Sequence, residues 1–140
     1  MLSWFDKTGA GFVSVYIHLP INNIIRRVDF LVDTGAEKTL LHPKDALDLG
    51  FSYENLPTKI GIGFGGEFEY YVVKNKEIYF IFLEEKKGKE IYYSIKMNQI
   101  QLMQMNYISL HYIKDSVLGR DFINKYELLF SFKKNMINFI

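Results

Sequence analysis

Residues Phe30-Leu31-Val32-Asp33-Thr34-Gly35-Ala36 run from three apolar side chains straight into a carboxylate, a hydroxyl and a glycine. The apolar part reads as the end of a buried strand, and Asp is a poor strand residue. An Asp in that place marks either a turn or a carboxylate held rigidly at a strand tip. Gly35 lets the backbone turn away or lie close against another backbone, and the Thr34 hydroxyl can satisfy a buried acceptor. Taken alone, the tripeptide has the composition of a common turn. Its setting says more: Val28, Phe30 and Val32 share one face of the expected strand while Arg27 and Asp29 point the other way, so Asp33 leaves a half-buried strand.

The rest of the chain favours strands. Tyr, Phe and Ile are plentiful and only three prolines occur among 140 residues, a propensity that points to a mainly β fold. The length suits a single domain, 1–140, with an ordinary core. Phe12 to Leu19 and Ile24 to Val32 read as a hairpin punctuated by Pro20-Ile21-Asn22-Asn23. Thr39-Leu40-Leu41 is a short apolar segment, and Pro43 to Gly50 reads as one or two helical turns, started at the proline and stopped by the glycine. Gly61 to Gly66, then Glu67 to Val73, form a glycine-rich hairpin. Lys74-Asn75-Lys76 is expected to turn the chain into a strand over Ile78–Leu83. Glu84 to Glu90 reads as a solvated, charge-balanced turn. Ile91–Met97 and Ile100–Ile113 continue the β pattern, with a phase slip at Leu102-Met103 of the kind a bulge causes. Arg120 to Tyr126 is expected to be a short helix, followed by a last hairpin ending at Phe139 and Ile140.

A second segment, Val117-Leu118-Gly119-Arg120, again runs apolar, apolar, glycine. The pair of motifs, apolar-apolar-Asp-Thr-Gly early and apolar-apolar-Gly late, resembles the retropepsin-like aspartic peptidases over most of the chain, from Val13 to Ile140. The resemblance implies a closed β-barrel, one acid-protease lobe per chain, with one or two short helices. It implies Asp33 as the catalytic acid, supported by Thr34, Gly35, Ala36, Glu37, Gly119 and Arg120. Arg120 would be held by Glu37, where the family often has Asp. Gly63, Phe64, Gly65 and Gly66 lie where the family keeps its substrate-covering flap. In the retroviral proteases the partner subunit covers the terminal strands, which offers one reading of Phe139 and Ile140; burial within the chain is the other.

Peptide hydrolysis by carboxylates needs two of them, one ionised and one protonated, and this chain has a single Asp-Thr-Gly. The second acid must come from another copy, so a homodimer with both Asp33 side chains on its two-fold axis is expected, acting on an extended polypeptide. The alternatives are a retropepsin-like domain that binds peptides or assembles a complex without catalysis, and a small barrel that binds a ligand or single-stranded nucleic acid through its aromatics.

Other chemistries find little support. Gly61-Ile62-Gly63-Phe64-Gly65-Gly66 spells a dinucleotide fingerprint, but a strand follows where a helix is required. His18, His42 and His111 lack ligand spacing, so neither a metal nor another cofactor is expected. No Cys occurs, which removes thiolate chemistry, and the net charge of +1 gives no field to collect nucleic acid or anionic lipid. No apolar stretch reaches the roughly 20 residues of a membrane helix, and no signal peptide is evident. A soluble, cytoplasmic protein without membrane partners is the expectation.

Overall fold

Aromatic and β-branched side chains suit a pleated, half-buried surface. The computed structural model of the chain, which describes residues 2–63, 66–104 and 114–139, is built accordingly from strands. In chain order the elements are β1 (Ser3–Phe5), β2 (Gly11–Leu19), β3 (Ile24–Val32), β4 (Leu40–Leu41), α1 (Pro43–Asp48), β5 (Thr58–Gly63), β6 (Gly66–Lys86), β7 (Lys89–Met103), β8 (Ser116–Leu118), α2 (Arg120–Tyr126), β9 (Leu128–Ser131) and β10 (Met136–Phe139).

Strands β2, β3, β8, β4, β7 and β6 are neighbours in that order. The long β6 then returns to β2 through Tyr16 opposite Ile81, Ile17 opposite Phe80 and His18 opposite Tyr79, which closes a six-stranded barrel. β1 pairs with the first part of β2, β5 pairs with the first part of β6, and β9 and β10 form a separate two-stranded sheet. The expected β2–β3 hairpin is present, from Gly11 opposite Val32 to Leu19 opposite Ile24, and a 3₁₀ turn at Pro20–Asn22 joins its arms. α1 starts at Pro43, with the His42 ring accepting the Lys44 N–H as a cap, and Gly50 at φ 82° ends the segment.

The interior is aromatic. Phe30, Phe80, Phe82 and Phe122 are fully buried, and the rings pair at 5.6 Å for Phe30–Phe80 and 5.3 Å for Phe82–Phe122. Cutting any of them back to Ala would cost about 3–5 kcal/mol. Tyr53 donates its hydroxyl to the Met103 carbonyl at 2.9 Å, and burial, with Tyr71 beside it, pushes this phenol up to about 12.

Four local expectations are corrected. Lys74-Asn75-Lys76 is no turn: β6 runs through it, and the register against β7 shifts between Lys74 and Ile78. Lys74 faces Gln99 and Ile78 faces Met97, so a bulge absorbs polar residues that read locally as a turn. No register shift falls at Leu102-Met103; the pattern loses its alternation there because Ile100, Gln101, Leu102 and Met103 are all buried, on both faces of the strand. The 84–90 turn is much tighter, with only Lys87 and Gly88, at φ 53° and 74°, between the paired Lys86 and Lys89. Glu84 lies inside β6 and is 2% exposed, its Oε1 accepting the Phe139 N–H at 3.0 Å. The 105–113 part of the expected strand lies outside the described residues, as do Met105 and His111.

The C-terminal strand packs against its own chain. Ile137 is fully buried, and the Phe139 ring packs on Phe82 at 5.1 Å and Tyr93 at 5.6 Å. β1, which carries no strong strand pattern, holds the other side: Ser3 Oγ accepts the Ile137 N–H at 2.7 Å and donates to its carbonyl at 3.2 Å. Intrachain burial therefore accounts for Phe139, while Ile140 lies outside the described residues. Among those residues no helix is long and apolar enough to cross a membrane.

Candidate active site

β8 lies between β3 and β4. It runs parallel to β3, with Phe30 opposite Ser116, Leu31 opposite Val117 and Val32 opposite Leu118, and antiparallel to β4, where Leu40 faces Val117. The chain that leaves β3 must therefore cross the end of β8 to reach β4. Residues 33–39 make that crossing, and Asp33 opens it. The Asp33 N–H extends the ladder by donating to the Leu118 carbonyl at 3.0 Å. Asp33 Oδ1 accepts the Gly35 N–H at 2.8 Å, and the Ala36 N–H donates to the Asp33 carbonyl at 3.2 Å. The carboxylate is thus fixed by its own loop, half-buried, while Thr34 and Gly35 are exposed.

Gly119 sits under the crossing. A Cβ there would stand 2.5 Å from both the carbonyl carbon and oxygen of Lys38 and 3.0 Å from the Ala36 oxygen, so the close approach admits no side chain. The late motif then grips the early one through backbone groups. Arg120 N–H donates to the Ala36 carbonyl at 2.8 Å, Asp121 N–H to the Glu37 carbonyl at 3.2 Å, and Arg120 Nη1 to the Thr34 carbonyl at 3.0 Å.

The expected Arg120–Glu37 ion pair is not formed. The Glu37 carboxylate, nearly half exposed, lies 4.0 Å from Lys38 Nζ instead. The helix is linked to the loop as anticipated, but the guanidinium uses a carbonyl, so the identity of the acid at 37 matters little to that link.

Two residues that sequence reasoning passed over complete the clamp. Thr39, 3% exposed, accepts the Gly119 N–H on its Oγ1 at 3.0 Å and donates to Asp121 Oδ1 at 2.7 Å. Asp121 Oδ2 takes the Thr39 N–H at 3.0 Å, and its Oδ1 also takes the Phe122 N–H at 2.8 Å in the first turn of α2. An acid early in a helix was the only local signal, and acids are common there. Likewise Asp45, which needed no role from its polar context, accepts the Ser116 hydroxyl at 2.6 Å, and Ser116 Oγ accepts the His42 N–H at 2.9 Å. This ties the start of β8 to α1.

A separate apolar cluster lies beside the loop. Leu40, Tyr70, Val72, Met103 and Val117 are buried together, with Ala36 and Phe68 packed against them. It joins the residue after Asp33-Thr34-Gly35 to the β5–β6 hairpin, in which Gly63 pairs with Gly66 at φ 102°. Gly61 leaves room for the Phe68 ring, which a Cβ at 61 would meet at 2.8 Å. Of the expected flap, Gly63 and Gly66 are therefore placed at the end of a hairpin, while Phe64 and Gly65 lie outside the described residues. Among the described residues no three His, Asp or Glu side chains gather to hold a metal.

A family model described as aspartyl protease matches residues 17–122, which takes in the Asp33 loop, Gly119 and the start of α2. The chain belongs to the aspartyl protease family. Among solved structures it is similar to a retropepsin-like aspartic protease from Rickettsia conorii, with a TM-score of 0.58 and 19% identity, covering 96% of this chain and 84% of that one. The fold is thus retropepsin-like, as the two motifs implied. A search of curated proteins finds no match.

Proposed function

We propose that the chain is an aspartic endopeptidase that works as a homodimer, its two Asp33 carboxylates sharing one proton across a two-fold axis. The observation that carries this reading is the geometry of Asp33: its backbone N–H is held by the Leu118 carbonyl and its carboxylate by the Gly35 N–H, at the head of a loop whose next two residues are exposed. A single carboxylate is half of the required pair, and a two-fold axis supplies the other half at once. Two acids about 3 Å apart cannot both ionise. The ionised one takes a proton from water as the oxygen attacks the scissile carbonyl carbon, and the protonated one gives its proton to the carbonyl oxygen. Collapse of the resulting diol breaks the C–N bond: the leaving nitrogen takes a proton from the protonated acid while one diol hydroxyl gives its proton to the ionised acid, so the pair again shares one proton.

The exposed Thr34 hydroxyl would brace the two loops across the axis, and Gly35 would meet the substrate backbone. An extended polypeptide presents alternate side chains to its host. Half-buried Ala36 and Phe68, packed on the buried cluster of Leu40, Val72 and Val117, would favour apolar residues near the cleaved bond.

The test is digestion of a mixed peptide library from about pH 3 to 7, the range over which such a pair exchanges its proton, read by mass spectrometry. Wild type is expected to cut between apolar residues, and Asp33→Asn to lower the rate about a thousandfold or more with fold and dimer unchanged. Folded, dimeric wild type that yields no product at any pH would assign the domain to peptide binding or assembly instead.

A further inference from the structure

Where β6 bulges, residues from segments 51–57 and 72–76 line a recess of about 320 Å³. Its floor is apolar: Val72 is fully buried and Phe51 and Val73 are each 4% exposed, with Leu56 and Pro57 beside them. Backbone bonds fix the walls. The Val72 N–H donates to the Pro57 carbonyl at 3.0 Å, and the Phe51 N–H donates to the Ala46 carbonyl at 3.0 Å, just past the end of α1. The recess is therefore preformed, and its size lies at the small end of the range for sites that take small molecules.

The rim is cationic. Lys74 and Lys76 are both exposed and both line the recess, at the register shift against β7 that re-aims the strand. The Lys76 ammonium lies 5.6 Å from the centre of the Phe51 ring, which holds one cation over the apolar floor. Among the described residues neither lysine forms an ion pair. The carboxylate next to Lys76, that of Glu77, accepts the Tyr79 hydroxyl at 3.1 Å. Ser52 adds a hydroxyl to the lining; its oxygen accepts the Glu54 N–H at 3.2 Å, which leaves its proton to donate elsewhere.

Two ammonium groups without carboxylate partners and a hydroxyl proton, set above an apolar floor, complement an anionic head on a compact apolar body. A carboxylate has lone pairs for all three donors, and about 320 Å³ holds one ring or a short hydrocarbon chain rather than an extended polypeptide. We infer that this recess binds a small organic carboxylate with an apolar body, an arylalkanoate or a medium-chain fatty acid. The head lies between Lys74 and Lys76, and the body lies against Phe51 and Val72, where it leaves water. Binding there requires neither cleavage nor a second copy of the chain.

NMR titration with phenylbutyrate tests this, beside acetate, which lacks the body, and phenylbutanol, which lacks the charge. Phenylbutyrate is expected to shift the amides of Val72, Val73 and Lys74, and each comparison compound to bind about tenfold more weakly or worse. Replacing both lysines, Lys74→Gln with Lys76→Gln, should lower phenylbutyrate affinity about tenfold or more while circular dichroism stays as wild type. The charge-preserving pair, Lys74→Arg with Lys76→Arg, should keep most of the affinity. No shift at those amides with millimolar phenylbutyrate would overturn the assignment. So would acetate or phenylbutanol binding as tightly as phenylbutyrate, or a glutamine variant that binds as wild type does. A peptide ending in phenylalanine that binds there more tightly than phenylbutyrate would also overturn it, since the occupant would then be a polypeptide end.

Discussion

Gly119 has a steric reason to be glycine and no conformational one: its φ of −96° suits any residue, but the Lys38 carbonyl occupies the place of a Cβ. Gly119→Ala would force the crossing loop off the end of β8. The expected cost is about 1–3 kcal/mol, measured by urea denaturation, with a fall in cleavage because Asp33 rides on the same loop. Thr39 and Asp121 act on the same junction from the other side, with three hydrogen bonds that join residues 80 and 82 positions apart. The place of Asp33 at the end of a strand was legible from the apolar run before it, whereas the role of Thr39 was not. A hydroxyl beside two leucines gains meaning only when a distant N–H and carboxylate arrive beside it.

The long β6–β7 hairpin shows how elements depart from a local reading. Polar Lys74, Asn75 and Lys76 stay in a strand because β7 pairs on both sides of the bulge. The ladder on either side outweighs the local preference for a turn. Further along, Glu84 is buried because β10 lies over it, with one carboxylate oxygen bonded to Phe139 and the other 3.6 Å from Lys86 Nζ. Glu84→Ala leaves the Phe139 N–H without its acceptor and is expected to cost about 1–3 kcal/mol. Glu84→Gln keeps an acceptor and removes a buried charge, so its melting temperature should lie nearer wild type. Thermal unfolding of the two variants side by side checks the order; a lower melting point for Gln than for Ala would show that the charge itself holds the strand.

On the dimeric reading proposed above, a chain with one Asp-Thr-Gly carries half of a two-acid site, so activity depends on assembly. Specific activity is expected to fall on dilution as dimers dissociate, approaching direct proportionality to total concentration well below the dissociation constant. Serial dilution in a fluorogenic peptide assay measures this. A flat specific activity through the range in which sedimentation shows monomers would mean that one chain suffices. The barrel itself does not depend on the second copy, because six strands close on one another and the aromatic core lies inside them.

Local sequence determined the strands and the two helices wherever hydrophobic alternation and a capping residue acted within a few positions, as at β3, at α1 between Pro43 and Gly50, and at α2 after Gly119. It also determined which acid opens the crossing loop at a strand tip, since Asp33 directly follows the apolar run of β3. The tertiary structure decided what depends on residues far apart: that Arg120 holds a carbonyl rather than Glu37, that Glu84 is interior, and that β10 is held by Ser3 and Glu84 of its own chain. Hydrophobic period is written in neighbouring residues, but a hydrogen bond between distant groups exists only once the chain has closed.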